Sequence, residues 1–420
     1  MPTPRLLDEL ATRGLVHDST DRAVLGARLD ASPVSVYVGF DPTADSLHVG
    51  HLLGQLMLRR FQLAGHRPFP LAGGATGMVG DPSGRSDERN LLDRETLEHN
   101  VSCIKQQLEK ILDFSAGAVL VNNADWTAGI TALDFLRDVG KHITVNQMMA
   151  KESVKNRLSS ENGLSYTEFS YVLLQANDFR HLCAAHGVEL QMGGSDQWGN
   201  ITAGIDLIRR TLGRQAHGLT WPLVTKSDGT KFGKTADGAV WLDPSRTSPY
   251  QFRQFWVNLT DDEVVRYLPQ FSLAPLAESN DLIARHSADP GRRAAQRALA
   301  AEMTGIVHGP AAAADAEAAA DVLFGGDPTG ASSAALAVVA AEVPSTKVTR
   351  ADLADVFGLL ARSGVVSSTS EARRAVEQKG VRVNGQVLGA GETLAAGGLL
   401  HDRWVLVRRG KTTYHLLDLA

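Results

Sequence analysis

Five short strand-like segments alternate with amphipathic helical segments over the first two thirds of the chain. Between them lie stretches with apolar residues at i, i+3 and i+4 spacing, such as HLLGQLMLRRFQLAG and TLEHNVSCIKQQLEKIL. Strands joined through helices require right-handed crossovers and form a parallel sheet. The sequence therefore predicts an α/β fold with a Rossmann-like parallel sheet. The strand-like segments are VSVYVGF (34–40), RPFPLAG (67–73), AVLVNN (118–123), VELQMGG (188–194) and LTWPLV (219–224).

The pattern changes in the last third of the chain. Residues 248–325 have helical periodicity, and GGDPTGASS (325–333) is rich in turn-forming residues. Beyond about residue 345 a compact unit follows, with two short helices and a hairpin whose turn is Asn384-Gly385. We therefore predict four parts: a Rossmann-like domain with an inserted helical segment (1–230), a loop and helical domain (231–330), a linker (331–346) and a small α+β domain (347–420).

Composition excludes several classes of protein. The 43% apolar and 21% charged residues are ordinary for a globular chain, and no uncharged run approaches the roughly 18 apolar residues of a membrane span. Asp8 and Glu9 interrupt the apolar N-terminal segment, which is not typical of a secretory signal. Cys103 and Cys183 are too few for a disulfide framework and lack metal-ligand spacing. We expect two buried thiols, no structural metal and a cytoplasmic location.

Charge is distributed unevenly along the chain. From Ser345 to the end there are 11 Lys and Arg against 7 Asp and Glu, whereas the rest has 31 against 40. A basic C-terminal part on an acidic body is compatible with phosphate contacts confined to a few surfaces.

The segment DPTADSLHVGHLLG (41–54) places His48 and His51 one helical turn apart, directly after the first predicted strand. One interpretation is an ordinary helix start, and a second is a metal site, although no further ligand lies nearby. A third is a phosphate site. A helix N-terminus offers unpaired N–H groups, imidazoles add donors, and Gly50 lets a flat base approach the backbone.

The segment KSDGTKFGKT (226–235) has three lysines and two glycines in ten residues. A solvated surface turn is one explanation. No Walker-type loop occurs in the chain, so a nucleotide bound by His-x-Gly-His would need cations from elsewhere. A lysine loop that closes over a triphosphate would supply them while charge moves onto the leaving pyrophosphate.

Five separated blocks together resemble the bacterial tyrosyl-tRNA synthetases, a family of class I aminoacyl-tRNA synthetases. LHVGH resembles the HIGH motif of that class and KFGKT resembles its KMSKS motif, with both lysines and a terminal hydroxyl retained. The match spans nearly the whole chain. In chain order the blocks are YVGFDPTADSLHVGH, GGATGMVGDPSGR, SYVLLQANDF, QMGGSDQWGNI and TKSDGTKFGKT.

The resemblance implies a tyrosine pocket. Tyr37 and Asp178 would bind the phenolic hydroxyl, because phenylalanine would leave both buried groups unpaired. The substrate ammonium group would be held by Asp81, Tyr171 and Gln175, with Gln197 also near the substrate. Tyr171, Gln175 and Asp178 are spaced i, i+4 and i+7, which is one face of a helix. Core packing is the alternative, but Gln and Asp are poor core residues unless partnered.

The resemblance also implies an ATP site and a catalytic set. ATP would enter as a substrate with Mg²⁺. Arg85 and Arg89 could add charge near the pyrophosphate. The paired glycines before Asp196 also suit an ordinary strand-to-helix turn. Catalytic residues would be His48, His51, Lys231, Lys234 and Thr235, and ATP contacts would come from Gly39, Asp41, His48, Gly50, His51, Gly194, Asp196, Lys231 and Lys234.

The C-terminal unit resembles a small RNA-binding module of the same family. Ser368 and Glu371 predict a capping box at the start of a charged helix. The resemblance implies tRNA(Tyr), L-tyrosine and ATP as partners, and a homodimer. The alternatives are another HxGH nucleotidyltransferase, a tryptophanyl synthetase, or a non-catalytic RNA-binding protein on the same scaffold. The candidate RNA contacts are Arg373, Arg374, Lys379 and Arg382.

Overall fold

A five-stranded parallel sheet forms the centre of the N-terminal part. The computed structural model describes residues 5–81, 92–151, 154–155, 158, 163–225, 232–235, 238–395 and 398–419, with only the backbone of 234–235. The strands are β1 (Ser35–Phe40), β2 (Arg67–Ala72), β3 (Val121–Asn122), β4 (Val188–Gly194) and β5 (His217–Trp221). Their order across the sheet is β3-β2-β1-β4-β5, which confirms the predicted Rossmann-like α/β fold.

The strand order opens a crevice beside β1. This strand pairs in parallel with β2 on one side and with β4 on the other. The connections after β1 and after β4 therefore lead away in opposite directions, which leaves a ligand crevice at the carboxyl ends of the strands. Phe40 ends β1 and Gly194 ends β4, so the residues that follow these two positions border the crevice.

Local sequence signals explain the helices that flank this sheet. The longest begins where the Ser165 side chain accepts a hydrogen bond from the Glu168 N–H, and ends at Gly187 with a left-handed φ of 66°. These helices are α1 (Leu6–Thr12), α2 (Arg22–Ala31), α3 (Val49–Leu63), α4 (Arg94–Ile111), α5 (Ala124–Thr127), α6 (Ala132–Asp138), α7 (Val145–Met149), α8 (Tyr166–His186) and α9 (Trp198–Leu212).

A helical region follows, as the periodicity predicted. A two-stranded antiparallel pair precedes it, β6 (Lys234–Thr235) with β7 (Gly238–Ala239). The described helices of this region are α10 (Pro249–Val257), α11 (Asp261–Phe271), α12 (Leu276–Ala288), α13 (Ala294–His308), α14 (Pro310–Leu323) and α15 (Ser333–Glu342). Helix α15 lies inside the predicted linker and buries Ala335, Leu336 and Val339.

The chain divides into two compact units. One comprises Met1–Thr247 and Val257–Leu299, and the other comprises Ser248–Trp256 and Ala300–Ala420. The four-part division at residues 230, 330 and 346 stays a prediction.

The second unit contains a mixed sheet with apolar residues packed on both faces. Its strands are β8 (Ser345–Lys347), β9 (Val381–Val383), β10 (Gln386–Val387), β11 (Trp404–Arg409) and β12 (Thr413–Asp418), in the order β10-β9-β11-β12-β8. One cluster joins the sheet to α16 (Val356–Arg362) and α17 (Thr369–Glu377), and another joins it to α14 and α15. The predicted hairpin is confirmed, because Asn384 and Gly385 have φ of 47° and 84° between β9 and β10.

Two local predictions need correction. The Ser368 side chain caps α17 through the Glu371 N–H, but the Glu371 carboxylate accepts from Ser367 N–H at 2.7 Å, so the reciprocal half of the capping box is displaced by one residue. Arg409, on β11, also donates a hydrogen bond to this carboxylate. Cys183 is buried, but Cys103, on α4, is only half-buried.

Candidate active site

One cavity of about 280 Å³ lies at the carboxyl ends of β1 and β4, in the predicted crevice. Most of the site residues predicted from the sequence border it, although they come from segments far apart in the chain. The predicted residues that line the cavity are Tyr37, Gly39, Asp41, Gly50, His51, Asp81, Tyr171, Gln175, Asp178, Gly194, Asp196 and Gln197.

Helix α8 presents three of these side chains to the cavity. Tyr171, Gln175 and Asp178 lie one to two turns apart on the same side of the helix. Tyr171 and Asp178 are buried, and Gln175 is half-buried. Ordinary core packing does not account for this polar stripe, since it lines a cavity rather than an apolar contact.

The deep end of the cavity has a buried carboxyl group, Asp178, and a buried phenol, Tyr37. Asn123 Nδ2 and Trp126 Nε1 each donate to one oxygen of Asp178, both at 2.9 Å. Burial nevertheless raises the pKa of Asp178 to about 7, while the two donors act to lower it. Burial, together with the nearby Asp178 charge, raises the pKa of Tyr37 well above its ordinary value. The Tyr37 hydroxyl has no hydrogen-bond partner among the described residues.

A chain of amide and carboxylate hydrogen bonds crosses the middle of the cavity. Gln197 Nε2 donates to Asp81 Oδ2 at 2.8 Å, and Gln175 Nε2 donates to Gln197 Oε1 at 3.3 Å. Asn200 Nδ2 bridges the two glutamines, donating at 3.0 Å to Gln175 and at 3.2 Å to Gln197. This network links Asp81 and Gln175 beside the cavity, where a carboxylate suits a bound cation.

Asp41 joins the middle of the cavity to the end of β1. The Tyr171 hydroxyl donates to Asp41 Oδ2 at 2.9 Å, and the Thr76 hydroxyl donates to Asp41 Oδ1 at 2.8 Å. Thr76 also accepts from Asn123 Nδ2 at 3.0 Å, so this group connects to the partners of Asp178. Tyr171, Asp41, Thr76, Asn123 and Asp178 therefore belong to one hydrogen-bonded network.

The HxGH segment begins α3 and forms a capping box from two imidazoles. His48 Nδ1 accepts from the Gly50 N–H at 3.0 Å, and His51 Nδ1 accepts from the His48 N–H at 3.3 Å. The two rings stack with centroids 4.0 Å apart. Because Nδ1 is the acceptor in both rings, the proton of each neutral ring resides on Nε2, which is therefore the donor atom.

Gly50 lies directly against the His48 ring. A Cβ on Gly50 would lie 2.8 Å from Cε1 of His48, so any side chain there would displace the imidazole. His48 itself does not line the cavity but lies behind His51. The His48 and Trp241 rings meet edge-on, with their centroids 6.0 Å apart.

The turn after β4 brings another carboxylate to the cavity. A Cβ on Gly194 would lie 2.6 Å from Asp196 Oδ1, so a side chain there would displace the Asp196 carboxylate. Asp196 borders the cavity at the N-terminal side of α9, next to Gln197.

The structure describes only part of the KFGKT segment. Lys231, and likewise Arg85 and Arg89, lie outside the described residues. Lys234 and Thr235 form the backbone of β6, and the preceding Gly233 lies against α3: a Cβ on it would be 3.4 Å from the Gly50 nitrogen. The KFGKT and HxGH segments are therefore adjacent in space, although about 180 residues separate them in the chain.

The four candidate RNA contacts lie on the surface of the second unit. Arg373, Arg374, Lys379 and Arg382 are all exposed. Arg373 lies over the Phe357 ring at 5.1 Å, and Arg382 Nη1 donates to the Gly385 carbonyl at 3.0 Å.

Sequence reasoning missed four polar residues of the site. Thr76, Asn123, Trp126 and Asn200 hold the side chains that border the cavity. Asn123 and Trp126 directly follow β3, a strand that ends at the same edge of the sheet as β1. The rule that ligands lie beyond the carboxyl ends of parallel strands could have pointed to this pair.

The described residues contain neither a metal-binding cluster nor a membrane-spanning helix. No three His, Cys, Asp or Glu side chains there are grouped so that they could hold a metal ion. Nor does any described helix have the length and apolar content that a membrane crossing requires.

Two family models together match most of the chain. Residues 29–325 match the class I tRNA synthetases (W and Y), and residues 335–417 match the tyrosine–tRNA ligase SYY-like C-terminal domain. The first model is described for both tryptophan and tyrosine enzymes, whereas the second is named for tyrosine–tRNA ligases.

Individual relatives agree with these models. The chain is 51% identical to a tyrosine–tRNA ligase of Roseiflexus castenholzii over 423 residues, covering 99% of each chain. It is 51% identical to that of Opitutus terrae, covering 99% of this chain and 100% of the relative. A C-terminally truncated mitochondrial tyrosyl-tRNA synthetase of Aspergillus nidulans is 33% identical and has a TM-score of 0.70, covering 77% of this chain and 95% of its own. The chain therefore belongs to the tyrosine–tRNA ligase family of class I aminoacyl-tRNA synthetases.

Proposed function

We propose that the chain activates L-tyrosine with ATP, forming tyrosyl-adenylate and pyrophosphate, and then transfers the tyrosyl group to the 3′ end of tRNA(Tyr). Membership of the tyrosine–tRNA ligase family supports this activity. The observation that carries the proposal is one cavity with two chemically different ends. A buried phenol and carboxyl group lie at one end, and a helix N-terminus with imidazole donors lies at the other.

The deep end suits a phenolic hydroxyl. The Tyr37 hydroxyl is buried without a hydrogen-bond partner among the described residues, and Asp178 keeps a proton up to about pH 7. A substrate phenol would supply a partner for both groups. A phenyl ring of the same size would leave the Tyr37 hydroxyl and the Asp178 proton without a partner, at a cost of about 1–3 kcal/mol for each.

The middle of the cavity suits the ammonium and carboxylate groups of an amino acid. Asp81 Oδ2 and the Gln175 side chain already belong to one hydrogen-bonded network, with Tyr171 and Gln197 beside them. An ammonium group bound there would lie between the phenol end and the start of α3. The substrate carboxylate would then point toward the phosphate end.

The phosphate end suits MgATP as a substrate. At the start of α3 the Nε2 atoms of His48 and His51 are donors, and the positive end of the helix dipole favours an anion. Gly39, Asp41, Gly50, Gly194 and Asp196 would border the adenosine. Mg²⁺ would enter with the ATP phosphates, since it prefers phosphate and water oxygens.

The reaction needs no nucleophile from the protein. An oxygen of the substrate carboxylate attacks the α-phosphorus, and the bond from that phosphorus to the bridging oxygen of pyrophosphate breaks. A hydroxyl of the terminal tRNA ribose then attacks the tyrosyl carbonyl and releases AMP. The protein contributes positioning and charge stabilisation, and Lys231, Lys234 and Thr235 would act on the leaving pyrophosphate.

We also propose that the chain forms a homodimer through α6, α7 and the start of α8. The inward side chains of these helices form a buried cluster that includes Met148 and Val172. Six of the thirteen exposed large apolar side chains in the described part fall between residues 133 and 166. Burial against a second copy would remove this apolar surface from water. The six are Leu133, Leu136, Val145, Met149, Leu158 and Tyr166.

The basic surface of the second unit is the proposed tRNA contact. Arg373, Arg374, Lys379 and Arg382 are exposed around the end of α17 and the start of the β9–β10 hairpin. Exposed guanidinium and ammonium groups bind phosphates chiefly through charge, so this binding should weaken steeply with salt. A cytoplasmic location stays a prediction.

Amino-acid-dependent exchange of pyrophosphate into ATP tests the proposed function. We expect exchange with L-tyrosine and none with L-tryptophan at the same concentration. Exchange with tryptophan alone would assign the chain to the other specificity of its class. No exchange with either amino acid, in a protein that binds tRNA, would indicate a non-catalytic RNA-binding protein.

A further inference from the structure

One buried tyrosine on α11 contacts both ends of the segment that contains Lys231. The Tyr267 hydroxyl donates to the carbonyl oxygen of Thr225, and the Tyr267 ring meets the Phe232 ring edge-on at 4.8 Å between centroids. Tyr267 is fully buried and Phe232 is 4% exposed. A single side chain therefore holds the two residues on either side of positions 226–231.

Phe232 lies in an aromatic pocket rather than in solvent. Its ring is 5.7 Å from the Phe271 ring, and the Tyr267 and Phe271 rings are 6.1 Å apart. Tilted and edge-on pairs at these distances are favourable arrangements for aromatic rings. The Phe232 N–H also donates to the Val224 carbonyl at 3.3 Å. This bond ties the Phe232 backbone to the residues that follow β5.

The helix that supplies this pocket is held firmly at its C-terminus by two buried arginines. Arg13 donates to the carbonyls of Pro269 at 3.0 Å and Ala274 at 2.6 Å, and Arg60 donates to the Gln270 carbonyl at 3.1 Å. Cations are favourable at a helix C-terminus, where the last carbonyls lack partners within the helix. Arg60 belongs to α3, so the position of Tyr267 is set relative to the helix that HxGH begins.

Backbone hydrogen bonds continue from Phe232 to the start of α3. The Val240 N–H donates to the Gly233 carbonyl at 2.8 Å, and the Val49 N–H donates to the Val240 carbonyl at 2.9 Å. Gly233 has a left-handed φ of 80° and lies directly over Gly50. The backbone of Lys234 follows immediately, so any shift of Phe232 shifts the start of β6 relative to the HxGH helix.

We propose that Tyr267 and Phe232 are positioning residues for adenylate formation. They lock the ends of the KFGKT segment against α11 and so set where Lys231 and Lys234 stand relative to the phosphates. This inference rests on the proposed function, in which those lysines stabilise the leaving pyrophosphate. Neither Tyr267 nor Phe232 lines the cavity, so neither should contact tyrosine.

Two variants separate positioning from simple packing. Tyr267→Phe removes the hydroxyl bond to Thr225 and keeps the ring, and Phe232→Leu removes the ring and keeps an apolar side chain. We expect each to lower kcat for tyrosine-dependent exchange by about 10-fold or more, since small misplacements of catalytic groups can cost up to about 10²-fold. The KM for tyrosine should stay within about twofold, because the pocket at Tyr37 and Asp178 is untouched.

A double-mutant cycle with Lys231→Ala tests whether the effect passes through the lysine. If Tyr267 acts by placing Lys231, Tyr267→Phe should cost little further activity in the Lys231→Ala background. Full additivity of the two losses, or a rise in the KM for tyrosine equal to the fall in kcat, would overturn the proposal. Tyr250→Phe is the matched control, since Tyr250 is a half-buried tyrosine in the second unit, and it should leave kcat unchanged.

Failure of the inference can be distinguished from failure of the proposed function. If the unaltered protein shows no tyrosine-dependent exchange, the proposed function falls and this inference falls with it. If the unaltered protein exchanges and both variants match its kcat, only the positioning role is wrong. Circular dichroism melting of each variant controls for unfolding. Tyr267→Phe creates no cavity, so a fold-preserving measurement remains even if Phe232→Leu is unstable.

Discussion

The indole Nε1 of Trp126 donates a 2.9 Å hydrogen bond to Oδ1 of Asp178, although 52 residues separate the two in the chain. Asn123 holds the other carboxylate oxygen at the same distance. The two donors orient the carboxylate and oppose the effect of burial on its pKa. Asp178 is therefore positioned by residues that follow β3 at the far edge of the sheet.

Replacing Trp126 should weaken the tyrosine pocket without touching the substrate. In Trp126→Phe one hydrogen bond to the charged form of Asp178 is lost, so its pKa should rise further. We expect kcat/KM for tyrosine to fall by about 10-fold, since hydrogen bonds to charged groups contribute roughly 1.5–3 kcal/mol. Steady-state exchange at several tyrosine concentrations measures this. Trp404→Phe, whose indole nitrogen is buried without a described partner, is the control and should not change kcat/KM.

The pKa of Asp178 predicts how stability depends on pH. The pKa is about 7 in the folded protein against an ordinary value of 3.8, so between these values the folded state keeps a proton that the unfolded state has lost. The contribution of Asp178 to the free energy of unfolding therefore falls as pH rises from about 4 to about 7, by at most about 4 kcal/mol. Urea denaturation of the protein and of Asp178→Asn at several pH values measures the difference between them. Parallel pH profiles would contradict the raised pKa.

Tyr37→Phe should have opposite effects on stability and on selectivity. Its hydroxyl is buried without a partner among the described residues, so removing it should raise the free energy of unfolding of the unliganded protein by about 1 kcal/mol. The same change removes a partner of the substrate phenol, so discrimination against phenylalanine should fall by about 10-fold. Thermal melting and exchange with both amino acids measure the two effects. Unchanged selectivity would remove Tyr37 from the proposed pocket.

Lys231→Ala should slow adenylate formation far more than it weakens tyrosine binding. A lysine that meets charge developing on the leaving pyrophosphate acts mainly in the transition state, and removing such a group costs about 10²–10³-fold in rate. Rapid-mixing measurements of adenylate formation and equilibrium binding of tyrosine separate the two quantities. Equal losses in both would be inconsistent with this role. Lys141→Ala, an exposed lysine outside the motif, should change neither.

A charge on the apolar outer face of α6 should dissociate the proposed dimer. Leu133 is 80% exposed, and an aspartate there would have to be desolvated when two copies meet. Leu133→Asp should therefore shift the mass measured by analytical ultracentrifugation from two chains toward one. Phe324→Asp is the control, since Phe324 is 79% exposed but lies elsewhere in the chain. A monomeric unaltered protein would refute the dimer itself.

Much of the architecture follows from local sequence signals. The five strands appear where alternation and apolar runs predicted them, although β3 keeps only Val121 and Asn122 of the predicted segment 118–123. The Asn384-Gly385 hairpin also forms as its turn chemistry requires. Conversely, the GGDPTGASS connector and the predicted linker gave no sign that α15 would pack against a sheet.

The sequence by itself determined the structural features that depend on residues close together in the chain. Strand and helix periods, the polar face of α8 and the HxGH helix start all arise from backbone geometry within a few residues. Only the tertiary structure decided that Asn123 and Trp126 hold Asp178, and that Tyr267 spans Thr225 and Phe232. Such partners depend on strand order and helix packing. Strand order and helix packing bring distant segments of the chain together. No local sequence pattern records which buried polar groups will form hydrogen bonds with one another.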